Sequence, residues 1–149
     1  MRYALGIDMG GTKILAGVID LKSGAVVSSA KRKSRADQGP DELTANLIAA
    51  ADEAISAAKE GKPEAIGIGA AGQVDREKGL LISGPNLGER MDNLPLGPTL
   101  KKRFDLPVVV GNDVVKKIAR VPTGPRDKPV QDVVIQRVEI FRSETTPAS

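Results

Sequence analysis

The stretch that most constrains the fold lies near the start of the chain and reads Leu5-Gly-Ile-Asp-Met-Gly-Gly-Thr-Lys-Ile-Leu-Ala-Gly-Val-Ile-Asp20. Two apolar runs flank a pair of glycines, which predicts a strand, a tight turn and a second strand. The stretch lacks the G-x-x-x-x-G-K-[ST] spacing of a P-loop and the G-x-G-x-x-G spacing of a dinucleotide-binding loop, each of which opens a helix. We therefore expect a β-hairpin whose turn is chemically unusual.

The residues of this turn suit a nucleotide phosphate. Gly10 and Gly11 can adopt positive φ and bring successive N–H groups close to an anion. Thr12 adds a hydroxyl group and Lys13 a positive charge. Asp8 would repel a phosphate unless a hard cation lay between them, and Mg²⁺ that keeps several waters is the natural candidate. The hairpin thus predicts a Mg²⁺·nucleotide site with Asp8 facing the metal. The alternative is an ordinary hairpin whose glycines only make the turn.

The composition narrows the class of protein. The 149 residues are enough for one domain with a sizeable core, and the aromatic content of 2% means that Val, Ile, Leu and Ala must build it. The net charge is +3, and the densest basic cluster, residues 31–35, has no interleaved aromatics or nucleic-acid module, so we interpret it as a solvated face. No nucleic-acid partner is expected.

The missing residue types exclude several chemistries. The chain has no Cys and no His, which excludes disulfides, a Ser-His-Asp triad and a zinc site of the Cys/His type. No run approaches 18 apolar residues, and Asp8 interrupts the apolar N-terminus. We expect a soluble, cytoplasmic protein without a membrane partner.

Hydrophobic periodicity predicts an α/β fold. Strands are expected at 3–9, 13–20, 25–30, 64–70 and 106–111, with a further short strand that leads into a loop within 80–88. Helices are expected at about 41–60 and at 96–105. The first three strands should form an antiparallel meander, and the strand at 64–70, reached through a helix, should lie parallel to the first strand. Pro40 suits the first turn of the long helix, and Gly61 is placed as its C′ residue.

Three loops should meet at one edge of this sheet. Ligands of open α/β sheets gather at the carboxyl ends of parallel strands. Asp8, the turn at 69–75 and the pair Asn112-Asp113 all lie at such ends. Two plain interpretations stay open: the turn at 69–75 is simple loop sequence, and Asn112-Asp113 caps a following helix.

The segment Gly6-Ile-Asp-Met-Gly-Gly-Thr-Lys13 resembles the first phosphate loop of the superfamily that contains sugar kinases, Hsp70 and actin. Within that superfamily it resembles the ROK family of bacterial, glucokinase-like sugar kinases. The resemblance implies a ribonuclease H-like (actin-like ATPase) lobe with a mixed five-stranded sheet, three strands antiparallel and then two parallel, with flanking helices. It also implies ATP with Mg²⁺ as the phosphoryl donor and a hexose as the acceptor.

Two further segments carry the resemblance towards a sugar. Residues 69–75 and 80–88 resemble ROK segments that wrap the sugar, which implies that Gly69, Gly72 and Asn86 bind it. Residues 107–113 resemble the ROK segment that ends in the catalytic base. That likeness implies that Asp113 accepts the proton of the sugar hydroxyl and that Asn112 holds the sugar.

The resemblance covers residues 3–113. We therefore expect a ROK-like N-terminal lobe at 1–120 and a divergent tail at 121–149, as in a truncated or frameshifted kinase with little activity alone. The alternatives are a non-catalytic sugar- or nucleotide-binding regulatory module, since ROK relatives include repressors, and an activator ATPase of the same superfamily. Which hexose binds and whether the lobe forms a homo-oligomer are left open.

Overall fold

The computed structural model describes residues 2–59, 61–84, 87 and 91–111. In chain order, the elements of these residues are β1 (Tyr3–Met9), β2 (Lys13–Asp20), β3 (Val26–Lys33), a 3-10 turn (Ala36–Gln38), α1 (Pro40–Ala57), β4 (Pro63–Ala70), β5 (Gln73–Asp75), β6 (Leu80–Ser83), α2 (Leu96–Phe104) and β7 (Val108–Gly111).

Five of the strands form one mixed sheet in the order β3-β2-β1-β4-β7. The pairs β1–β2 and β2–β3 are antiparallel, whereas β1–β4 and β4–β7 are parallel. Tight turns can join only antiparallel neighbours, and each parallel neighbour is reached through a helix, α1 or α2. The predicted arrangement, three antiparallel strands and then two parallel ones, is confirmed.

Both helices cover the same face of the sheet. The register places Ser28 of β3, Leu5 of β1 and Val110 of β7 on this face. The Ser28 hydroxyl donates a 2.6 Å hydrogen bond to the Ala54 carbonyl in α1, while Val110 lies against the first turn of α2 beside Gly97. The core between the sheet and the helices is built mainly from aliphatic side chains, as expected, and also includes the ring of Tyr3. Its largest fully buried side chains are Leu5, Met9, Ile14, Leu43, Leu47, Ile66, Leu81, Met91, Leu96, Leu100, Val18 and Val110.

On the opposite face of the sheet most side chains are small or exposed, although Ile19 of β2 is only 2% exposed. Gly17, Gly6 and Gly67 lie side by side on β2, β1 and β4, and Val109 of β7 continues the row. Val109 is 62% exposed and Leu15 is 49% exposed. No helix in the part of the chain that the structure describes packs on this face, which we call the open face.

The long helix ends earlier than predicted. It spans Pro40–Ala57, and Ala58 is already extended, so the predicted C′ role of Gly61 is wrong. Gly61 is needed for a different reason, because a Cβ there would overlap the buried ring of Tyr3. At the helix start, Pro40 occupies the first turn as expected.

A small hairpin replaces the plain turn expected at 69–75. Strands β5 and β6 pair antiparallel as a second sheet, and Leu81 forms a further bridge to Leu94. Gly79 in the hairpin turn accepts a 2.9 Å hydrogen bond from the N–H of Gly97, which fixes the hairpin against α2. The segment is therefore more ordered than its small residues suggested.

The remaining differences from prediction are in element bounds. Strand β3 runs to Lys33 and takes in most of the basic cluster, and β7 begins only after Pro107. None of the helices that the structure describes is long and apolar enough to cross a bilayer.

Candidate functional site

The loop predicted to bind phosphate, Gly10–Lys13, leads from β1 into β2 and is called the phosphate loop below. It is held in place by Ser34, the residue that follows β3. Within the loop, the Gly10 N–H donates to the Lys13 carbonyl at 2.9 Å. The Ser34 hydroxyl donates to the Gly11 carbonyl at 2.6 Å, and the Ser34 N–H donates to the Thr12 carbonyl at 2.9 Å. Ser34 is fully buried. Both central carbonyls of the loop are thus turned towards the end of β3.

The amides of this loop have the opposite character. Among the residues that the structure describes, the N–H groups of Gly11 and Thr12 have no hydrogen-bond partner. In a planar trans peptide the N–H points away from the preceding C=O. Because the Gly11 carbonyl faces Ser34, the Thr12 N–H faces away from it. An anion-binding turn requires N–H groups that have no hydrogen-bond partner in the protein, as these two have among the described residues.

The unpartnered N–H groups of the loop do not depend on a left-handed backbone conformation. The described glycines with positive φ are Gly24, Gly39, Gly72 and Gly79, so the expectation of positive φ at the phosphate loop is wrong. A Cβ at Gly10 would lie 3.4 Å from the Lys13 carbonyl oxygen, at the lower limit of ordinary van der Waals contact.

Asp8 lies near the carboxyl end of β1, beside the loop. Its neighbours across the sheet are Leu15 of β2 and Gly69 of β4, all on the open face. The residue is exposed overall, yet desolvation by the surrounding protein raises the pKa of its carboxyl above the ordinary value. A cation bound at this position would offset that cost of ionisation.

The donor set fits a water-rich Mg²⁺ better than a protein-caged metal. Within the described residues, no three Asp, Glu, His or Cys side chains are grouped so as to hold a metal ion. Mg²⁺ commonly binds one or two carboxylates and keeps its remaining waters. Asp8 as a single carboxylate is compatible with that kind of site.

The carboxyl ends of the three parallel strands are aligned. Asp8 pairs with Gly69, and Gly69 pairs with Gly111, so one row crosses β1, β4 and β7. The structure thus brings Asp8, the phosphate loop and Gly69 to one edge, as predicted. Asn86, Asn112 and Asp113 lie outside the described residues.

Gly72, predicted to bind sugar, has a clear backbone reason to be glycine. Its φ is +144°, and a Cβ there would overlap the Ser83 carbonyl oxygen of the facing strand β6. The residue therefore allows the β5–β6 hairpin to close beside Gly69. A role in sugar binding stays a prediction.

Two residues at this edge were missed from the sequence. Ser34 was included in a basic cluster that was interpreted as solvated surface, and nothing in its spacing indicates a contact with Gly11. Arg76, in the β5–β6 turn, has a guanidinium nitrogen 3.9 Å from where a Cβ of Gly111 would be. Because β5 was not expected, no pattern in the sequence indicated that Arg76 lies at the end of β7.

The mixed sheet, its two crossover helices and the glycine turn behind an acid-bearing strand define an actin-like lobe of the kind found in ROK kinases. The comparison with known families agrees, since the model of the ROK family matches residues 4–138. The chain belongs to the ROK family.

Individual relatives point to sugar kinases and to a regulator. The chain is 38% identical to a glucokinase of Streptomyces coelicolor over 118 residues, which is 76% of this chain and 33% of that protein. A structure of a ROK family glucokinase from Streptomyces griseus with glucose and AMPPNP aligns with TM-score 0.63 and 36% identity, over 74% of this chain and 33% of that one. A ROK family transcriptional regulator, a homolog of the E. coli MLC protein, aligns with TM-score 0.65 and 27% identity, over 75% and 28%. The chain spans about one third of the length of the curated relatives it matches.

Proposed function

We propose that this chain is the phosphate-binding lobe of a glucokinase-like sugar kinase, which transfers the terminal phosphoryl group of Mg²⁺·ATP to a hexose hydroxyl. The observation that carries the proposal is the phosphate loop itself, in which the Gly11 and Thr12 carbonyls accept hydrogen bonds from Ser34 while the N–H groups of the same two residues have no partner among the described residues. The glucokinase relatives and the Streptomyces griseus structure with glucose and AMPPNP support the choice of substrates.

The loop would hold the phosphates of the donor. The amides of Gly11 and Thr12 would donate to phosphate oxygens, and Lys13 would add a positive charge. Asp8 would bind Mg²⁺ through water. When bound, the metal supplies positive charge that neutralises the charge developing on the transferred group.

The sugar would lie at the same edge of the sheet. Gly69 is there in the structure, and Gly72 follows it in the β5–β6 hairpin. Asn112 and Asp113 follow Gly111 in the sequence, and we propose that Asn112 holds the sugar and Asp113 is the catalytic base. We assign Asn86 to sugar binding as well. Because phosphoryl transfer usually has a loose transition state, Asp113 needs mainly to orient the hydroxyl and accept a late proton.

We propose further that the chain binds its ligands but turns them over slowly when alone. It spans about one third of its glucokinase relatives, and a kinase needs both walls of its cleft to exclude water and clamp the donor. If a coupled assay with ATP and glucose showed that the chain alone has the turnover of a complete glucokinase, this part of the proposal would be wrong.

Calorimetry with Mg²⁺·AMPPNP tests the site directly. Asp8→Asn should weaken binding by about tenfold or more, since one charged hydrogen bond or metal contact is worth about 1.5–3 kcal/mol. Asp20→Asn is the matched control, because Asp20 is a partly exposed acid at the far end of the same hairpin. Equal affinities of the two variants would refute the proposed role of Asp8.

A regulatory module is the second candidate, favoured by the likeness to the ROK transcriptional regulator. Such a module would bind a hexose without Mg²⁺·nucleotide. Glucose binding that is unchanged by Asp8→Asn, in a chain that shows no nucleotide binding, would favour this alternative over the kinase lobe.

A further inference from the structure

Three lysines lie on the open face of the sheet beside the phosphate loop. Lys13 of β2 pairs in register with Lys33 of β3, and Leu15, the next residue on this face of β2, pairs with Lys31. Leu15 also pairs with Asp8 on its other side. The register therefore places one acid and three lysines on one face, and all four residues are exposed.

The lysines carry charge that the described protein does not offset. Like charges that face each other directly destabilise an antiparallel pair, and Lys13 and Lys33 form such a pair. None of the three lysines has an ion-pair partner within the residues that the structure describes. Arg32, which strand alternation places on the other face, does have one, the Glu53 carboxylate at 3.6 Å. A bound anion would relieve the repulsion on the open face.

Ser34 joins this basic strand to the phosphate loop. It follows Lys33 directly, and its hydroxyl and N–H are bonded to the Gly11 and Thr12 carbonyls at 2.6 and 2.9 Å. The end of β3 is therefore fixed against the loop. Lys33, the residue before Ser34, pairs in register with Lys13 of the loop, so these two lysines are the cations of the sheet that adjoin the loop.

The positive surface continues past the strand. A groove of about 320 Å³ runs between the outer edge of β3 and α1, and it is lined by Lys31, Arg32, Lys33, Arg35, Asn46 and Glu53. Four cations face one carboxylate along this groove. A chain of phosphates that extended from the loop past Lys33 would contact the basic side chains along β3.

We propose that Lys13, Lys31 and Lys33 extend the phosphate loop into one binding strip for a linear chain of phosphoryl groups. The ligand is either the triphosphate of a nucleotide or an inorganic polyphosphate, which share this chemistry. The proposal rests on the proposed function only in taking the loop as a phosphate site. A nucleic acid fits less well, because binding of single strands relies on stacking aromatics. The described aromatics, Tyr3 and Phe104, are a buried core residue and a residue of α2.

A competing explanation needs no ligand. Strand β3 is an edge of the sheet, and lysines on edge strands discourage pairing with other chains. This explanation predicts that loss of Lys31 and Lys33 promotes self-association and leaves phosphate binding unchanged.

Calorimetric titration of the full 149-residue chain separates these possibilities. Each of two double variants is titrated with Mg²⁺·ATP, Mg²⁺·tripolyphosphate and long-chain polyphosphate. The test variant is K31Q/K33Q. The control is K101Q/K102Q, which removes two exposed lysines of α2, the helix that leads into the opposite edge strand β7. K31Q/K33Q should weaken long-chain polyphosphate at least tenfold relative to the control and should reduce the salt dependence, as fewer counterions are released. A parallel loss for Mg²⁺·ATP assigns the strip to the nucleotide, and a loss confined to polyphosphate assigns it to the inorganic chain.

Three results would overturn the proposal. One is an equal affinity of the two double variants for all three ligands. Another is tighter binding of a single-stranded oligonucleotide than of a polyphosphate with the same number of phosphates. The third is self-association of K31Q/K33Q with unchanged ligand binding. Thermal melts add a separate check, since K33Q should raise the ligand-free Tm by removing the repulsion with Lys13, and a fall would contradict that.

Failure of the strip and failure of the proposed function give different results. A chain that binds phosphate chains through these lysines but binds no hexose would keep the strip and overturn the kinase proposal. If the K31Q/K33Q variant binds Mg²⁺·ATP and hexose normally and binds polyphosphate as tightly as the control does, the strip is overturned and the kinase proposal stands.

Discussion

Asp8 and Asp20 lie at opposite ends of the same hairpin, and the protein shifts the pKa values of their carboxyl groups in opposite directions. Desolvation raises the pKa of Asp8. Hydrogen bonds from the Lys22 N–H and the Ser23 hydroxyl, both 2.8 Å, lower the pKa of Asp20. Ionised Asp8 therefore lowers the stability of the fold, as expected of a residue retained for ligand binding. Asp20 stabilises its turn, as expected of a structural residue.

The pH dependence of stability should follow these signs. A raised folded-state pKa means that ionised Asp8 disfavours folding above its ordinary pKa of 3.8. Asp8→Asn should therefore raise the Tm at pH 7, and the gain should vanish as the pH falls below that value. Asp20→Asn should lower the Tm at pH 7, because a lowered pKa gives stability that is lost only as pH falls through the folded pKa. Melting curves from pH 3 to pH 7 measure both, and shifts of the same sign would contradict the assignment.

Ser34 and Ser28 form a matched pair of serines. Each hydroxyl donates a 2.6 Å bond to a main-chain carbonyl, in the phosphate loop for Ser34 and in α1 for Ser28. Either change to alanine should cost about 0.5–1.5 kcal/mol in the free energy of unfolding. Only Ser34→Ala should also weaken Mg²⁺·AMPPNP binding, because only that bond orients the loop. Denaturant unfolding and calorimetry provide the two measurements, and equal nucleotide affinities would show that Ser34 is merely structural.

At the scale of elements, the sequence predicted most of the strands and both helices, because their apolar periodicity is set locally. The hairpin β1–β2 was predicted with its observed bounds, Tyr3–Met9 and Lys13–Asp20. Failures occur where distant residues decide the outcome. Gly61 is glycine because of Tyr3, and Ser34 is buried because of Gly11, and neither contact leaves a trace in local spacing. The position of Asp8 was predictable because it lies near the carboxyl end of a strand, and the carboxyl ends of parallel strands meet at one edge of the sheet.

Gly61 and Gly67 should respond oppositely to alanine. A Cβ at Gly61 would overlap the Tyr3 ring, whereas a Cβ at Gly67 would have nothing within 4 Å. Gly61→Ala should cost about 1–3 kcal/mol, as overpacking does. Gly67→Ala should be neutral or slightly stabilising, because alanine loses less backbone entropy in a strand. Chemical denaturation checks both, and a tolerated Gly61→Ala would show that the contact with Tyr3 relaxes easily.

At the scale of the whole molecule, the sheet has one covered face and one open face. Adjacent residues of β7 show the contrast, since Val109 is 62% exposed and Val110 is 1% exposed. The helices α1 and α2 lie on one side, and an ion pair of 2.8 Å between Arg103 and Asp52 links them. Asp8, Lys13, Lys31 and Lys33 lie on the opposite side. The arrangement separates the residues that stabilise the lobe from those available to a ligand.

Val110→Thr and Val109→Thr test this division. The first change buries a hydroxyl in the aliphatic core and should cost about 1–3 kcal/mol. The second should change the free energy of unfolding by no more than about 0.5 kcal/mol. Equilibrium denaturation of the two variants gives the comparison. A large loss for Val109→Thr would mean that the open face is covered in the folded chain.

The alignment of Asp8, Gly69 and Gly111 has a consequence for how this lobe can vary. Side chains alternate along a strand, so loss or gain of a single residue within β1 would rotate the carboxylate to the side where Leu43 and Leu47 are buried. An ionised acid in that aliphatic layer would prevent folding long before it impaired chemistry. Length changes are therefore tolerable in the connecting loops and forbidden inside this strand.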